Sequence, residues 1–193
     1  MVNLLIDDLP EYAEIVRGFP RPLSMVADVE GCDAAVFLEY HAKFGTAKST
    51  FDHTYSGATI NKVEINGVTA SEPLLNAYVA GEMGVPVIMA AGEAQLIKDD
   101  VKRQAPWTEA VALKQSLSRL SAGSPSMITV EKNLSEAVRN AVAKHRGGKT
   151  RTLVAKPPVE TRITFMTSLY ADAAELLPTA KTISVGSRQS VIA

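Results

Sequence analysis

The chain has 193 residues, 46% of them apolar and 21% charged, with a formal net charge of −1; this is the size of one domain with enough apolar side chains for a core, and the near-neutral balance gives no electrostatic basis for binding nucleic acid or an anionic membrane. No apolar run approaches the roughly 20 residues that cross a bilayer, and MVNLLIDDLPEY turns acidic at once, with no basic region before its apolar stretch, so it does not read as a secretory signal. The single cysteine, Cys32, excludes an internal disulfide framework and fits a reducing cytoplasm.

Short apolar runs alternate with helical periodicity along the chain, which predicts an α/β architecture: a mostly parallel sheet flanked by helices. Ala34 to Leu38 is a continuous apolar run, expected of a strand buried on both faces. It ends at Glu39-Tyr40-His41. Residues 42–57 then form a long polar segment rich in Lys, Ser and Thr, the kind of loop that often carries function. Alternation around Asn66-Gly67, from Lys62 to Thr69, predicts a β-hairpin.

Ser71 to Met83 reads as a helix, capped by Ser71, with Glu72 and Pro73 in its first turn, an apolar stripe of Leu74, Leu75, Tyr78 and Val79, and Gly84 as its stop. Val85 to Ala91 is a second buried-type strand, with Pro86 tolerable near its start. Helix is expected from about Glu93 to Arg103, strand at Ala110–Leu113, and a long helix from Ser126 to His145 with Leu134, Ala137, Val138, Ala141 and Val142 at helical spacing. After a connection over 149–158 come an alternating strand (160–167), a short helix (168–177) and a last strand (182–185). This places an α/β core at 1–148 and a β-α-β portion at 149–193, either a small α+β subdomain or an edge of the same sheet.

Few residues carry chemistry. His41 sits at the end of the first strong strand, where ligands gather in open α/β sheets; a lone histidine there is more often a structural hydrogen-bonder. His53 lies in the polar loop beside Asp52, and His145 closes the long helix, where a cation is favoured. Glu72 opens a helix, where an acid also suits the helix dipole. Asp7 and Asp8 have ligand chemistry but read as the polar face of a short amphipathic segment, and Cys32 has no histidine nearby in sequence. His41, His53 and Glu72 together have the composition of a metal or acid/base site.

These residues sit in ordered blocks. Phe37-Leu38-Glu39-Tyr40-His41-Ala42 resembles the F-L-G-Y-H-A segment of the zinc-dependent D-aminopeptidases associated with dipeptide-permease operons, the DppA-like family. Glu72 to Gly81 is similar to its G-E-x-G-L-N-A-Y-V-A-G helix, Val85 to Gly92 to its V-P-V-L-M-V-A-G-D strand, and Lys114 to Arg119 to its K-x-x-x-S-R block. The resemblance covers nearly the whole chain. It implies a homo-oligomeric hydrolase with two zinc ions per subunit that releases N-terminal D-amino acids from short peptides. By motif, His41 resembles a zinc ligand, Glu72 a carboxylate ligand to the other zinc, and His53 the catalytic histidine.

The departures shape the expectation. The family's opening D-x-E strand and its N-D-x-H segment have no counterpart in these 193 residues. Met1 to Leu5 looks like the stretch just after that missing histidine, and Ala193 falls before the family's last helix. Glu93-Ala94 replaces an acidic pair, and Glu39 replaces a glycine. A dinuclear site needs a bridging carboxylate and about three to four protein ligands per metal. Two ligands fall short of that, so an impaired metallopeptidase is expected, or alternatively a non-catalytic oligomeric scaffold or peptide-binding remnant of the same fold. A missing strand would also expose a sheet edge and apolar surface.

Overall fold

The computed structural model describes residues 6–185 and 188–192; the Met1–Leu5 stretch and Ala193 lie outside them. In chain order the fold comprises strand β1 (Ala35–Tyr40), a hairpin of β2 (Ile60–Ile65) and β3 (Val68–Thr69), helix α1 (Glu72–Glu82), strand β4 (Val87–Glu93), and a helical stretch made of α2 (Ala94–Leu96), a π-helical turn (Ile97–Val101) and α3 (Lys102–Gln104). There follow β5 (Glu109–Ser118), β6 (Ser121–Gly123), the long α4 (Met127–Arg146), β7 (Thr161–Phe165), α5 (Ser168–Ala174), β8 (Lys181–Val185) and β9 (Arg188–Ile192).

The first sheet has the order β1-β4-β5-β6, with β1, β4 and β5 parallel and β6 folded back antiparallel on β5. Every residue of β4 is buried, which is why its sequence is apolar without alternation. Val87 and Ala90 of this strand join a core with Phe37, Ala77, Leu96 and Val101. Ile88, Met89 and Ala91 join a second core with Val111, Leu113, Ala137 and Ala141, to which helix α4 contributes. Met89 has no exposed surface, and burial of such a side chain is worth roughly 1.5–3 kcal/mol. Ala137 and Ala141 are the α4 positions nearest the sheet, and their small side chains let the helix lie close; Val138, expected on the apolar stripe, is 39% exposed.

One expectation is corrected here. Strand β1 is not buried on both faces: Phe37 is buried, but Val36 and Leu38 are 43% and 54% exposed. Among the described residues β1 is the edge of its sheet, so only the face toward α1 is covered. An unbroken apolar run signals a strand without saying whether neighbours flank it. Strand β5 also runs to Ser118, beyond the expected Leu113, because its later residues alternate in burial and so lack a continuous apolar signature.

The second sheet is antiparallel, with the order β3-β2-β7-β9-β8. The hairpin therefore pairs with strands from the C-terminal portion, Val63 opposite Ile163 and Glu64 opposite Arg162. Asn66 and Gly67, both at positive φ (50° and 78°), make its turn, the conformation that favours Asn-Gly. The Asn66 amide group donates to Lys156 O at 2.8 Å and accepts from Glu160 N at 2.7 Å, tying the turn to the connection before β7. That connection crosses α1 closely: a Cβ at Gly81 would lie 1.9 Å from Leu153 O, so only glycine fits there.

Candidate active site

The carboxyl ends of the parallel strands form the site. Tyr40 pairs with Gly92, and Glu93 pairs with Lys114, so His41 and Glu93 stand at the carboxyl ends of β1 and β4, level with Lys114 within β5. Open α/β sheets place functional groups at this carboxyl edge. Glu39, in the last turn of β1, has φ 63° in the left-handed region, and the register of β1 on β4 shifts between Phe37 and Tyr40. The strand thus bends just before His41.

The polar loop folds back over this edge, carried on three more non-glycine residues at positive φ: Lys48, Phe51 and Tyr55. Such conformations persist only where surroundings enforce them, and here the enforcing groups are visible. Asp52 is buried and accepts from Gly45 N at 2.6 Å, with Arg119 Nη1 at 3.4 Å. Phe51 N donates to Arg119 O at 2.9 Å and His53 N to Ala42 O at 3.1 Å. Glu93 is fully buried, and its carboxylate accepts from Ser49 Oγ, from Thr50 N at 2.8 Å and from Ser116 Oγ at 2.9 Å.

This packing brings the three sequence candidates together. The His41 and His53 ring centroids are 5.3 Å apart, and His53 Nε2 lies 3.5 Å from Glu72 Oε1. Glu72 also accepts from Tyr55 N at 2.5 Å, so the first turn of α1 and the loop close on each other through this carboxylate. His41 Nδ1 is 3.1 Å from Thr50 O. A carbonyl only accepts, so Nδ1 carries the hydrogen and Nε2 keeps the lone pair. His53 Nδ1 is likewise held by Phe51 O. Burial, then the positive charge of Lys114, push the His41 pKa below its usual value, so its imidazole is neutral near pH 7. Beside it, Asn76 Nδ2 donates to Tyr40 Oη at 3.0 Å, and burial raises the Tyr40 phenol to about 12.

A cleft of about 410 Å3 opens next to these groups, bordered by Val16, Arg21, Leu38, Glu39, His41 and Glu72. The His41 imidazole, with its Nε2 unprotonated, and the Glu72 carboxylate are donors of the kind that hold zinc, and a backbone carbonyl on Nδ1 is the usual support for a metal-binding histidine. In number they fall short: among the described residues no group of three or more His, Cys, Asp or Glu side chains is arranged around one metal position. Other candidates lie apart from the site. Cys32 is exposed and its thiol faces Asp28 O, His145 Nδ1 meets Thr150 Oγ1 at the end of α4, and Asp7 and Asp8 sit in an exposed 3-10 turn.

Sequence reasoning passed over Glu93 and Lys114 as site residues. The usable signal is positional, an acid at the end of a wholly apolar strand. Glu93 was expected at the start of a helix, and it is in fact both the last residue of β4 and the N-cap of α2.

Comparisons with known proteins bear on the family and the fold. A family model described as D-aminopeptidase matches residues 1–189. A D-aminopeptidase of Bacillus subtilis (strain 168) is 36% identical over 123 residues, which is 62% of this chain and 43% of that protein. The chain thus spans less than half the length of this curated relative. Among solved structures, the Zn-dependent D-aminopeptidase DppA from Bacillus subtilis, described as a self-compartmentalizing protease, superposes with a TM-score of 0.88 at 28% identity, covering 99% of this chain and 68% of that one.

Proposed function

Because this chain belongs to the D-aminopeptidase family, we propose that it contributes a zinc-dependent peptidase centre that removes N-terminal D-amino acids from short peptides. The observation that carries the reading is the convergence of His41, His53 and Glu72 from a strand end, a loop and a helix start. In this reading His41 and Glu72 are ligands, each to one of two zinc ions, and His53 moves a proton at the scissile bond. When bound, zinc supplies Lewis-acid polarisation of the peptide carbonyl and of a water molecule. The chain's own residues do the rest. Thr50 O holds His41 so that Nε2 faces the cleft. Tyr55 N holds Glu72 at the helix start. His53, partly open to solvent and 3.5 Å from Glu72, has a carboxylate to stabilise its protonated form during transfer. A homo-oligomer and a cytoplasmic location belong to the same proposal, supported by the self-compartmentalizing relative and by the exposed free thiol of Cys32.

The absence of a three-ligand cluster among the described residues supports a second part of the proposal: these 193 residues alone hold zinc loosely and turn over slowly. Metal analysis of the purified chain, with zinc titration and hydrolysis of D-Ala-D-Ala, tests both parts. The expected result is fewer than two zinc per chain, weak binding that His41→Ala and Glu72→Gln abolish, and little turnover. Two tightly held zinc ions with enzyme-like turnover would refute the impairment. No zinc binding by a cooperatively folded chain would instead favour a non-catalytic scaffold.

A further inference from the structure

Glu93 is the one carboxylate in the site with no exposure at all, and no catalytic role in the reading above uses it. A buried carboxylate is costly unless its oxygens are satisfied. Here both are: Oε1 accepts from Ser49 Oγ, and Oε2 accepts from Thr50 N at 2.8 Å and Ser116 Oγ at 2.9 Å. The donors belong to two elements. Ser49 and Thr50 are in the polar loop, while Ser116 is in β5, two residues beyond the Lys114 that pairs with Glu93. The carboxylate therefore ties the loop to the sheet at Ser49 and Thr50, and the Thr50 hydroxyl also bonds Ser116 Oγ at 2.7 Å.

The same peptide residue faces the other way toward His41. Its N–H points at Glu93 and its carbonyl accepts from His41 Nδ1 at 3.1 Å. We propose that Glu93 is a positioning residue for His41: by anchoring Thr50 it fixes the carbonyl that selects the Nδ1–H tautomer and presents Nε2 to the cleft. Glu93 touches no reacting group and acts on His41 through the Thr50 backbone. Phe51 O, on the next residue, holds His53 Nδ1, so the anchor also sets where the second imidazole begins. Without the anchor, the loop keeps Phe51 N on Arg119 O, the Thr50 hydroxyl on Ser116 and Asp52 beside Arg119, but it loses the bonds from Ser49 Oγ and Thr50 N that hold the chain on the N-terminal side of the Thr50 carbonyl. The tautomer argument concerns the metal-free chain and stands apart from the peptidase reading; only its consequence for zinc rests on that reading.

The test uses nitrogen-15 NMR of the His41 ring in the zinc-free chain, which distinguishes the two tautomers, with zinc titration as the second readout. Glu93→Met fills the space without an acceptor. Glu93→Gln keeps an oxygen for Thr50 N and offers its amide to the rotatable Ser49 hydroxyl. The expected result is a single Nδ1–H tautomer in the parent chain and in Glu93→Gln, a mixture in Glu93→Met, and zinc affinity in Glu93→Met lower by about 10–100-fold. A Glu93→Met chain that keeps the single tautomer overturns the proposal, as does a parent chain that shows a mixture. If Glu93→Met does not fold, Glu93→Gln decides: loss of the single tautomer there overturns the proposal, because the Thr50 acceptor is still present. If tautomers behave as expected but no variant or parent binds zinc, the positioning role holds and the metallopeptidase reading fails.

Discussion

At the scale of single residues, the site depends on backbone that most side chains resist. Glu39 adopts φ 63° where a residue with a Cβ pays on the order of 1–2 kcal/mol relative to glycine's easy access to that region. The bend it makes lies between the strand and His41, so the geometry is retained although the residue is unsuited to it. Replacing Glu39 with glycine removes the strain and adds some freedom to the unfolded chain, two effects of opposite sign. The expected net is a stabilisation of up to about 1 kcal/mol, read as a higher urea midpoint with an unchanged slope; a clear loss of stability would show that the Glu39 side chain makes a contribution beyond its φ. The three histidines lie in separate segments of the sequence. Folding made two of them neighbours, by closing a loop whose path depends on Glu93, Asp52 and Ser116, residues far apart in the chain.

At the scale of elements, the readable parts were those with a local cause. The Asn66-Gly67 turn, the Glu72–Glu82 helix with its stop at Gly84, and the long helix begun by Ser126 each follow from turn, cap and periodicity rules that act over a few residues. Helix α4 starts where Ser126 Oγ accepts from Thr129 N and lies on the sheet through Ala137 and Ala141. Since Ala141 has no exposed surface, Ala141→Leu is expected to overpack this face and cost about 1–3 kcal/mol, measurable by thermal or urea unfolding, with the far-UV spectrum unchanged. A cost below the error of that measurement would mean that α4 floats over the sheet rather than packing into it. The elements that escaped sequence reading, β6 and β9, are short and exist because a partner strand pairs with them; nothing in three to five residues specifies such pairing.

At the scale of the whole molecule, two sheets of different kind share one chain, and among the described residues the mostly parallel one ends in an apolar edge. Val36 and Leu38 expose much of their surface on β1, and an unpaired edge with apolar side chains invites association. Leu38→Lys is therefore expected to raise solubility and reduce self-association in analytical ultracentrifugation, while changing stability by about 0.5 kcal/mol or less, as an exposed substitution does. Self-association undiminished by this change would place the sticky surface elsewhere on the molecule.

The sequence by itself determined the family pattern and the order of most strands and helices, because these follow from local spacing and side-chain type, and the resemblance singled out His41, His53 and Glu72 as candidates. Only the tertiary structure decided that β1 is an edge among the described residues, that the hairpin joins the C-terminal strands in one antiparallel sheet, and that a buried glutamate at the end of β4 holds the loop over the site. Those features arise from pairing and burial between segments distant along the chain, and the free energy of such contacts leaves no periodic trace in any one of the segments that make them.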